Sequence, residues 1–359
     1  MTPALSVCLA TLNRGAFIGA TLESIVSQAA DDVEIVVVDG ASSDQTPEVV
    51  ASFAGRARIN YQRLAAPGGV DRDYDLSVRC ASGEYCWLMS DDDLLKPGAL
   101  DAVREAARGR PSLVVVNAEV RNADLTRVLE ESRLGLDGDR SYAPSERDHL
   151  LAATAAYLSF IGGVVIRRDV WLARDRERFM GSLFIHVGVI FAEPLPGAAL
   201  VLARPLVVIR LGNAQWTARA FEIWMFKWPE LVWSFASCTE AARAAVTPRE
   251  PWRRLRGLFV QRARGAYSLA EYRRWIRPRL ASPWRRGLAR GAAVVPARVA
   301  NALLAAFYWA FYRGPRRRLL LNALEGRYHF RTWARWRVPA RAPGAGAAPP
   351  AKEGRHHHA

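Results

Sequence analysis

The sequence predicts an α/β fold in which a mainly parallel sheet has helices on both of its faces. Short apolar runs rich in β-branched residues alternate with amphipathic helical patterns roughly every 20 to 30 residues. Several of these runs end abruptly in polar or acidic residues. Because ligands bind beyond the carboxyl ends of the strands in open α/β sheets, these strand ends predict the position of a site.

The elements follow from local patterns along the chain. The predicted strands cover residues 5–10, 33–38, 59–63, 84–89, 113–120, 161–167 and 198–211, the last interrupted by Pro205. Apolar residues at helical spacing predict helices at about residues 17–28, from 46, 70–81, 97–108, 149–159 and from 169. Residues 121–147 are mostly polar, which indicates a loop or an excursion from the sheet.

Carboxylates follow two of the predicted strands. Asp39 ends the second strand, and Asp91, Asp92 and Asp93 end the fourth. Parallel strands bring these ends to one edge, and three adjacent carboxylates repel one another unless a cation neutralises them. Hard oxygen ligands suit Mg²⁺ or Mn²⁺, which often bridge carboxylates to substrate phosphates. The alternative is a solvated acidic turn before the helix that starts at Pro97.

A nucleotide-diphosphate compound has the groups that such a crevice would bind: a base, a ribose and a diphosphate held through the metal. The first loop, residues 11–14, lies where it would close over the base or the phosphates. A nicotinamide-dinucleotide domain needs three glycines in this turn, but only Gly15 is present. The phosphate-binding motif GxxxxGK[ST] is also absent from the sequence.

Four motifs in order resemble family 2 glycosyltransferases of the GT-A fold, a Rossmann-like arrangement. The motifs are Ser6-Val7 with Thr11-Leu12-Asn13-Arg14, residues 38–44, residues 83–85, and Ser90-Asp91-Asp92-Asp93 with Pro97. Residues 68–73 and 85–93 resemble more narrowly the abequosyltransferase-type members, which build O-antigen and other bacterial surface polysaccharides. The resemblance covers about residues 4–215.

The resemblance implies an inverting transfer from a nucleotide-diphosphate sugar with Mg²⁺ or Mn²⁺. The donor-binding residues it implies are Thr11, Asn13, Arg14, Asp39, Asp91 and Asp92. Asp71, Arg72 and Asp73 are further donor-binding candidates, with acids that cap the start of a helix as the alternative. For the metal it implies Asp92 or Asp93, because counting back from Pro97 puts Ser90 where family members usually have the first acid. In the other register, residues 91–93 themselves form the Asp-x-Asp motif.

The expected catalytic base departs from the family pattern. Inversion requires a base that removes the proton of the acceptor hydroxyl, and the family usually supplies an Asp from a Glu-Asp pair. Here the corresponding residues, 181–188, contain no acid. His186 is the only titratable side chain in residues 181–192. We therefore predict His186 as the base; a hydrogen-bonded core histidine is the alternative, and Glu193 and Asp169 are reserve candidates.

The acceptor region is predicted after the last strand. Asn213, Gln215 and Trp216 are expected to form a lid near the nucleotide and the acceptor. Trp216 is alternatively the first residue of an aromatic packing face that continues along the next helix. Gly162-Gly163 either allows close approach of the acceptor or marks a bulge.

The positive charge lies in the C-terminal part of the chain. Residues 251–341 contain 22 arginines and two acidic residues, a net charge of +20, whereas the whole chain carries +15. The apolar run 299–312, broken only by Asn301, is shorter than the roughly 20 residues that span a bilayer. We predict a helix that lies on an anionic membrane surface, with an ordinary core helix as the alternative.

These patterns predict three regions: a catalytic domain in residues 1–215, a helical arginine-rich region in 216–341 and a disordered tail in 342–359. Four scattered cysteines without a CxxC pair indicate a reducing compartment. We expect a peripheral protein on the inner face of a bacterial cytoplasmic membrane, with a polyprenyl-diphosphate-linked oligosaccharide as acceptor and no nucleic-acid partner. The alternatives are a catalytically inactive nucleotide-sugar-binding scaffold and, with less support, a sugar nucleotidyltransferase.

Overall fold

A computed structural model describes residues 3–213 and 219–325. Its centre is a single ten-stranded sheet with the order β3-β2-β1-β4-β9-β6-β10-β5, in which β7 pairs with β6 and β8 with β10. The strands are β1 (Leu5–Thr11), β2 (Val33–Asp39), β3 (Arg58–Arg63), β4 (Tyr85–Met89), β5 (Leu94–Leu95), β6 (Leu113–Arg121), β7 (Val128–Glu130), β8 (Arg140–Tyr142), β9 (Val164–Arg167) and β10 (Ala199–Arg210).

Helices cover the sheet, and further helices follow to the end of the described residues. In the first part they are α1 (Gly15–Val26), α2 (Thr46–Ala51), α3 (Val70–Cys80), α4 (Ala99–Ala107), α5 (Arg147–Thr154), α6 (Arg168–Leu172) and α7 (Ile185–Phe191). The later helices are α8 (Ala220–Glu222), α9 (Trp228–Trp233), α10 (Glu240–Val246), α11 (Leu255–Ala263), α12 (Leu269–Glu271), α13 (Pro283–Val294), α14 (Ala297–Phe311) and α15 (Gly314–Glu325). A π-helical turn, Ile223–Lys227, joins α8 to α9.

The α/β prediction is confirmed, with a sheet of mixed direction. β3, β2, β1 and β4 run parallel to one another, and β6 runs parallel to β10. β9 lies antiparallel between β4 and β6. Every residue of β2 and β4 is buried, as the apolar β-branched runs predicted, so the polar groups that follow these strands emerge from the core at one edge.

The structure contains three elements that the sequence did not predict, β7, β8 and α7, and β10 is interrupted near Pro205 as predicted. The polar segment 121–147 contains two short strands, β7 and β8, which add to the sheet. The apolar segment around His186 is the helix α7. At Pro205 the pairing of β10 with β6 shifts register between Leu202 and Val207, because proline has no N–H to donate to the ladder.

Trp228 and Val232 of α9 and Ala242 of α10 pack into the core beside the sheet, and other helices after residue 219 form apolar clusters of their own. One cluster is built around Phe221 and Tyr267, whose rings stack with centroids 4.9 Å apart. In another, α14 packs between α11 and α15, and α15 also contacts β7. The domain boundary at residue 215 stays a prediction, and Gln215, Trp216 and the tail from residue 342 lie outside the described residues.

No single described helix is both long enough and apolar enough to cross a bilayer. Taken together, α13 and α14 reach that length and composition, but they meet at an angle of 92°. All four cysteines are free thiols.

Candidate active site

Two loops interlock at the carboxyl ends of β1 and β2. The backbone N–H of Asn13 donates to Ser42 Oγ at 2.8 Å, and Asn13 Oδ1 accepts from the N–H of Ser43 at 2.8 Å. The N–H of Arg14 donates to Thr46 Oγ1 at 2.9 Å. Asn13 has a φ of 55°, a conformation that asparagine tolerates better than most residues. The polar side chains of the second loop therefore tie the first loop to the sheet edge.

Asp39 ends β2 at this edge and is completely buried. Its Oδ1 accepts from the N–H of Ser42 at 2.7 Å, and its Oδ2 accepts from the hydroxyl of Tyr61 at 2.6 Å. Tyr61 lies on β3, next to β2 in the sheet, and its contribution was not predicted from the sequence. Thr11, the last residue of β1, is also buried and pairs with Asp39 in register.

Arg14 joins the first loop to the acidic motif. Its Nε donates to Asp91 Oδ1 at 3.1 Å, and its terminal nitrogen Nη2 contacts Asp92 Oδ2. All three side chains are buried. The guanidinium also lies over the ring of Phe17, 4.9 Å from its centroid. The structure thus brings together Arg14, Asp91 and Asp92, which the resemblance assigned to the same donor site.

Residues from the end of β10 complete the acidic site. The backbone N–H of Arg210 donates to Asp93 Oδ1 at 2.7 Å, and its Nε donates to the carbonyl of Asp92 at 3.0 Å. Asn213 Nδ2 donates to Asp92 Oδ2 at 2.8 Å, so this predicted lid residue lies in contact with the acidic motif. Sequence reasoning missed Arg210, whose position depends on the register shift earlier in β10.

The acidic motif holds more negative charge than its surroundings offset. Burial raises the pKa of Asp91 to about 6, with the charge of Asp92 adding to the shift and Arg14 opposing it. Burial, and then the charge of Asp92, raises the pKa of Asp93 well above its ordinary value. A divalent cation would relieve both effects, and carboxylate oxygens are the ligands that Mg²⁺ and Mn²⁺ prefer.

The side-chain arrangement fits a cation in charge and ligand type. Among residues 3–213 and 219–325, no three acidic, histidine or cysteine side chains converge in a ready-made ligand set. Asp92 accepts from Ser90 through Oδ1 and from Arg14 and Asn213 through Oδ2. Asp92 and Asp93 are the groups that would hold a metal at this edge, and ligation by Asp92 would replace one of its present contacts.

Asp71, Arg72 and Asp73 lie in the first turn of α3 and differ in their surroundings. Asp71 is buried, and its two oxygens accept from the backbone N–H groups of Leu183 at 2.8 Å and Ile185 at 3.1 Å. Arg72 is exposed. Asp73 is buried, and its Oδ1 has no hydrogen-bond partner among the described residues. Burial and the nearby charge of Asp39 raise the pKa of Asp73 to about 6.

His186 lies in α7, only 2% exposed. Its Nε2 is 2.7 Å from the carbonyl oxygen of Leu158, which can only accept, so Nε2 carries the proton and Nδ1 the lone pair. Nδ1 has no partner within the described residues, and burial lowers the pKa of the imidazole to about 4. This packing favours the core-histidine alternative. The role of His186 as base stays a prediction.

The reserve candidates for the base both form exposed ion pairs. Glu193 pairs with Arg174 at 2.5 Å, and Asp169 pairs with Arg167 at 2.7 Å. Neither pair involves the acidic motif. Gly162 belongs to the Gly-Gly pair that was considered for acceptor approach. Its carbonyl oxygen accepts a hydrogen bond from the indole N–H of Trp87 at 2.9 Å.

The class of the protein follows from its fold and this strand-end site: it has the GT-A fold. Staphylococcus aureus TarS residues 1–349 superpose with a TM-score of 0.56 over 92% of this chain and 91% of that one, at 15% identity. TarS 1–349 in complex with UDP-GlcNAc gives a TM-score of 0.55 at 14% identity. At these identities the likeness concerns the fold alone.

The first half of the chain contains a match to family 2 glycosyltransferases. Residues 6–168 match the family described as glycosyl transferase family 2. The abequosyltransferase RfbV of Salmonella typhimurium is 26% identical over 223 residues, which are 58% of this chain and 67% of that protein.

A second relative is the GalNAc(5)-diNAcBac-PP-undecaprenol beta-1,3-glucosyltransferase of Campylobacter jejuni. It is 31% identical over 156 residues, which are 42% of this chain and 48% of that protein. The chain thus spans between about half and two thirds of the length of these two relatives.

Proposed function

We propose that this glycosyltransferase moves a sugar, with inversion, from a nucleotide-diphosphate sugar to a saccharide acceptor and requires Mg²⁺ or Mn²⁺. The observation that carries the proposal is the crowding of buried carboxylates at one sheet edge, where two members of the acidic motif have raised pKa values. A diphosphate would be repelled by these charges alone. A cation held by the same carboxylates makes the edge attractive to it.

The side chains then have distinct proposed roles. Asp92 and Asp93 hold the metal, whose chemistry when bound is to stabilise negative charge on the departing diphosphate. Arg14 orients Asp91 and Asp92 and offers a second positive charge near the diphosphate. Asp39 and Thr11 line the nucleotide pocket together with Asn13. Asp73 has a carboxylate oxygen without a hydrogen-bond partner among the described residues, and we propose that it accepts a hydrogen bond from a hydroxyl of the donor sugar.

A lipid-linked oligosaccharide is the acceptor that we propose. The Campylobacter relative is named for an undecaprenol-diphosphate-linked acceptor, and RfbV is named as an abequosyltransferase. An acceptor that stays in the bilayer suits the basic C-terminal helices, so we propose a peripheral position on the inner face of the cytoplasmic membrane.

Ligand-induced stabilisation tests the donor and metal proposal. UDP-, GDP-, CDP- and dTDP-sugars are compared in a thermal-shift assay with and without Mn²⁺, because a ligand that binds only the folded state raises the melting temperature. One nucleotide class should give a Mn²⁺-dependent increase. Asp92→Asn and Asp93→Asn should each raise the Mn²⁺ concentration needed for this increase at least about tenfold, because each removes a proposed metal ligand.

The matched control is Asp137→Asn, which removes an exposed carboxylate and should leave the shift unchanged. No stabilisation by any nucleotide-diphosphate sugar would contradict donor binding. Full transfer activity in both Asp92→Asn and Asp93→Asn would contradict the metal proposal.

A binding scaffold without transfer activity is the second candidate, and the burial of His186 favours it. His186→Gln separates the two. If His186 is the base, the variant loses transfer while the donor-induced thermal shift persists. If the imidazole only packs against Leu158 and the wild-type protein transfers sugar, the variant transfers it too. A wild-type chain that binds the donor and transfers no sugar would support the scaffold.

A further inference from the structure

Helix α14 is oriented with a polar side chain inward. Asn301 is 2% exposed, and its Nδ2 donates to the carbonyls of Ala263 at 3.0 Å and Leu324 at 3.1 Å. These bonds join α14 to α11 on one side and α15 on the other. They set the rotation of α14 about its own axis, so the opposite face of the helix points away from the protein.

That outer face is apolar along its whole length. Every exposed residue from Val299 to Phe311 is aliphatic or aromatic. The large side chains among them are between 46% and 73% exposed: Val299, Leu303, Phe307, Trp309 and Phe311. A helix at a water-exposed surface normally presents its polar residues to solvent, and α14 does the reverse. A continuous exposed apolar face of this kind marks an interaction surface.

The surroundings of this face are positively charged. No Asp or Glu occurs anywhere from residue 272 to 324. Arg298 precedes the face, and Arg313, Arg316 and Arg318 follow it; all four are exposed. Trp284, 73% exposed on α13, adds an amphipathic ring of the type found at membrane interfaces.

We propose that the outer face of α14 docks onto an anionic phospholipid bilayer, with the apolar side chains at the acyl boundary and the arginines among the headgroups. The helix has 15 residues, about 22 Å in length, and the 92° bend to α13 suits a helix that lies along the surface. The inference rests on the proposed function only for its purpose, which is to bring the site to a lipid-linked acceptor.

Charge complementarity distinguishes this occupant from two others. In a symmetric dimer through α14, the arginines of one copy would face those of the other, which is unfavourable. Nucleic acid would neutralise the arginines but would leave the exposed Leu303, Phe307 and Phe311 without apolar contacts. An anionic bilayer satisfies both the charge and the apolar surface.

Co-sedimentation of the full chain with vesicles tests the proposal. The vesicles contain phosphatidylglycerol and phosphatidylcholine. The triple variant Leu303→Gln/Phe307→Gln/Phe311→Gln is expected to lower the partition coefficient about 100-fold or more, since burial of each large apolar side chain contributes roughly a factor of ten. Leu255→Gln, which changes an exposed leucine on α11, is the matched control and should stay within about twofold of wild type.

A second variant tests the charged part of the surface. Arg316→Gln/Arg318→Gln should weaken binding to anionic vesicles at least about tenfold and leave binding to pure phosphatidylcholine vesicles unchanged. Folding is checked by the melting temperature, which should not fall in either variant because the substituted side chains are exposed.

The proposal is overturned if wild type does not bind the vesicles, or if the triple variant binds as well as wild type. A dimer that the triple variant dissociates, without any vesicle binding by wild type, would assign the face to a second copy. Donor-induced thermal stabilisation is measured in the same variants and should persist. Vesicle binding without donor binding would leave this inference standing and would contradict the proposed function.

Discussion

Asp73 carries a buried carboxylate whose charge is poorly compensated. A Cβ on Gly68 would lie 2.7 Å from its Oδ1, and a Cβ on Gly40 would lie 3.1 Å from its Oδ2, so two glycines leave the space that the carboxylate occupies. The pKa of Asp73 is raised from 3.8 to about 6 by burial and by Asp39. A buried carboxylate whose charge is disfavoured in this way gains from a ligand that donates a hydrogen bond to it, which suits a group that meets the donor.

The pH dependence of stability follows from this shift. Between pH 3.8 and about 6, the folded protein retains the proton of Asp73 where the unfolded chain has lost it. The free energy of unfolding therefore decreases as pH rises through this window and stays lower above it. Asp73→Asn should raise the free energy of unfolding at pH 7.5 by about 1–3 kcal/mol, and the gain should disappear below about pH 4.

Denaturant unfolding of wild type and Asp73→Asn at several pH values measures this difference. The exposed Asp137→Asn serves as the control and should leave the free energy of unfolding within about 0.5 kcal/mol of wild type. An Asp73→Asn variant that is less stable than wild type at pH 7.5 would show that the carboxylate is compensated. In a donor-binding assay the same variant should bind more weakly if Asp73 accepts a donor hydroxyl.

At the scale of elements, Asp71 connects α3 to the segment that leads into α7. Leu183 has a φ of 72°, a left-handed conformation that a leucine rarely adopts, and Gly181, two residues earlier, has a φ of 81°. Lys227, from the π-helical turn, also contacts the carbonyl of Gly181. The two hydrogen bonds to Asp71 hold this strained segment in position.

Removing the Asp71 carboxylate should release the segment. Asp71→Ala leaves the N–H groups of Leu183 and Ile185 without their acceptors, and we expect a loss of about 1–3 kcal/mol in stability. Hydrogen exchange of these two amides should become faster than in wild type. Asp71→Asn, which keeps one accepting oxygen, should lie in between. Unchanged exchange in Asp71→Ala would contradict the positioning role.

The elements also show what the sequence could predict. Strands β2 and β4 were readable because buried strands are continuous apolar runs. Helix α7 was not readable, because all seven of its residues are buried and it therefore lacks an amphipathic pattern. The three-residue strands β7 and β8 form through pairing with neighbours, which their polar sequences do not indicate.

The same distinction applies to the candidate site. That the acids after β2 and β4 share an edge follows from the parallel topology alone. The contact of Tyr61 with Asp39 depends on the position of β3 beside β2, and that of Arg210 with Asp93 depends on the register of β10 after its shift. Neither relation has a local signal in the sequence.

At the scale of the whole molecule, charge is divided between two ends of the chain. Residues 251–341 carry a net charge of +20, and the remaining residues together carry −5. The acidic side chains of the site are buried, whereas many of the arginines are exposed. Salt screens exposed charges far more than buried ones, so the two functions should respond differently to ionic strength.

Raising NaCl from about 50 to about 300 mM should weaken binding to anionic vesicles by about tenfold or more and change donor binding much less. Vesicle co-sedimentation and donor-induced thermal shifts at matched salt measure the two effects. Vesicle binding that does not respond to salt would contradict the role of the arginines. Tighter binding to DNA than to anionic vesicles at the same salt would favour a nucleic-acid partner.

The interruption at Pro205 divides β10 into two segments. The first pairs with β6 and β8, and the second pairs with β6 and β5 and ends at Arg210. Between them the side chain of Asn117 donates to the carbonyl of Ala203 at 2.6 Å in place of a regular ladder. Sheets open locally in contiguous cooperative units, and this break provides a boundary for one. We therefore expect the second segment, β5 and the bond from Arg210 to Asp93 to open together, at a local free energy smaller than that of global unfolding.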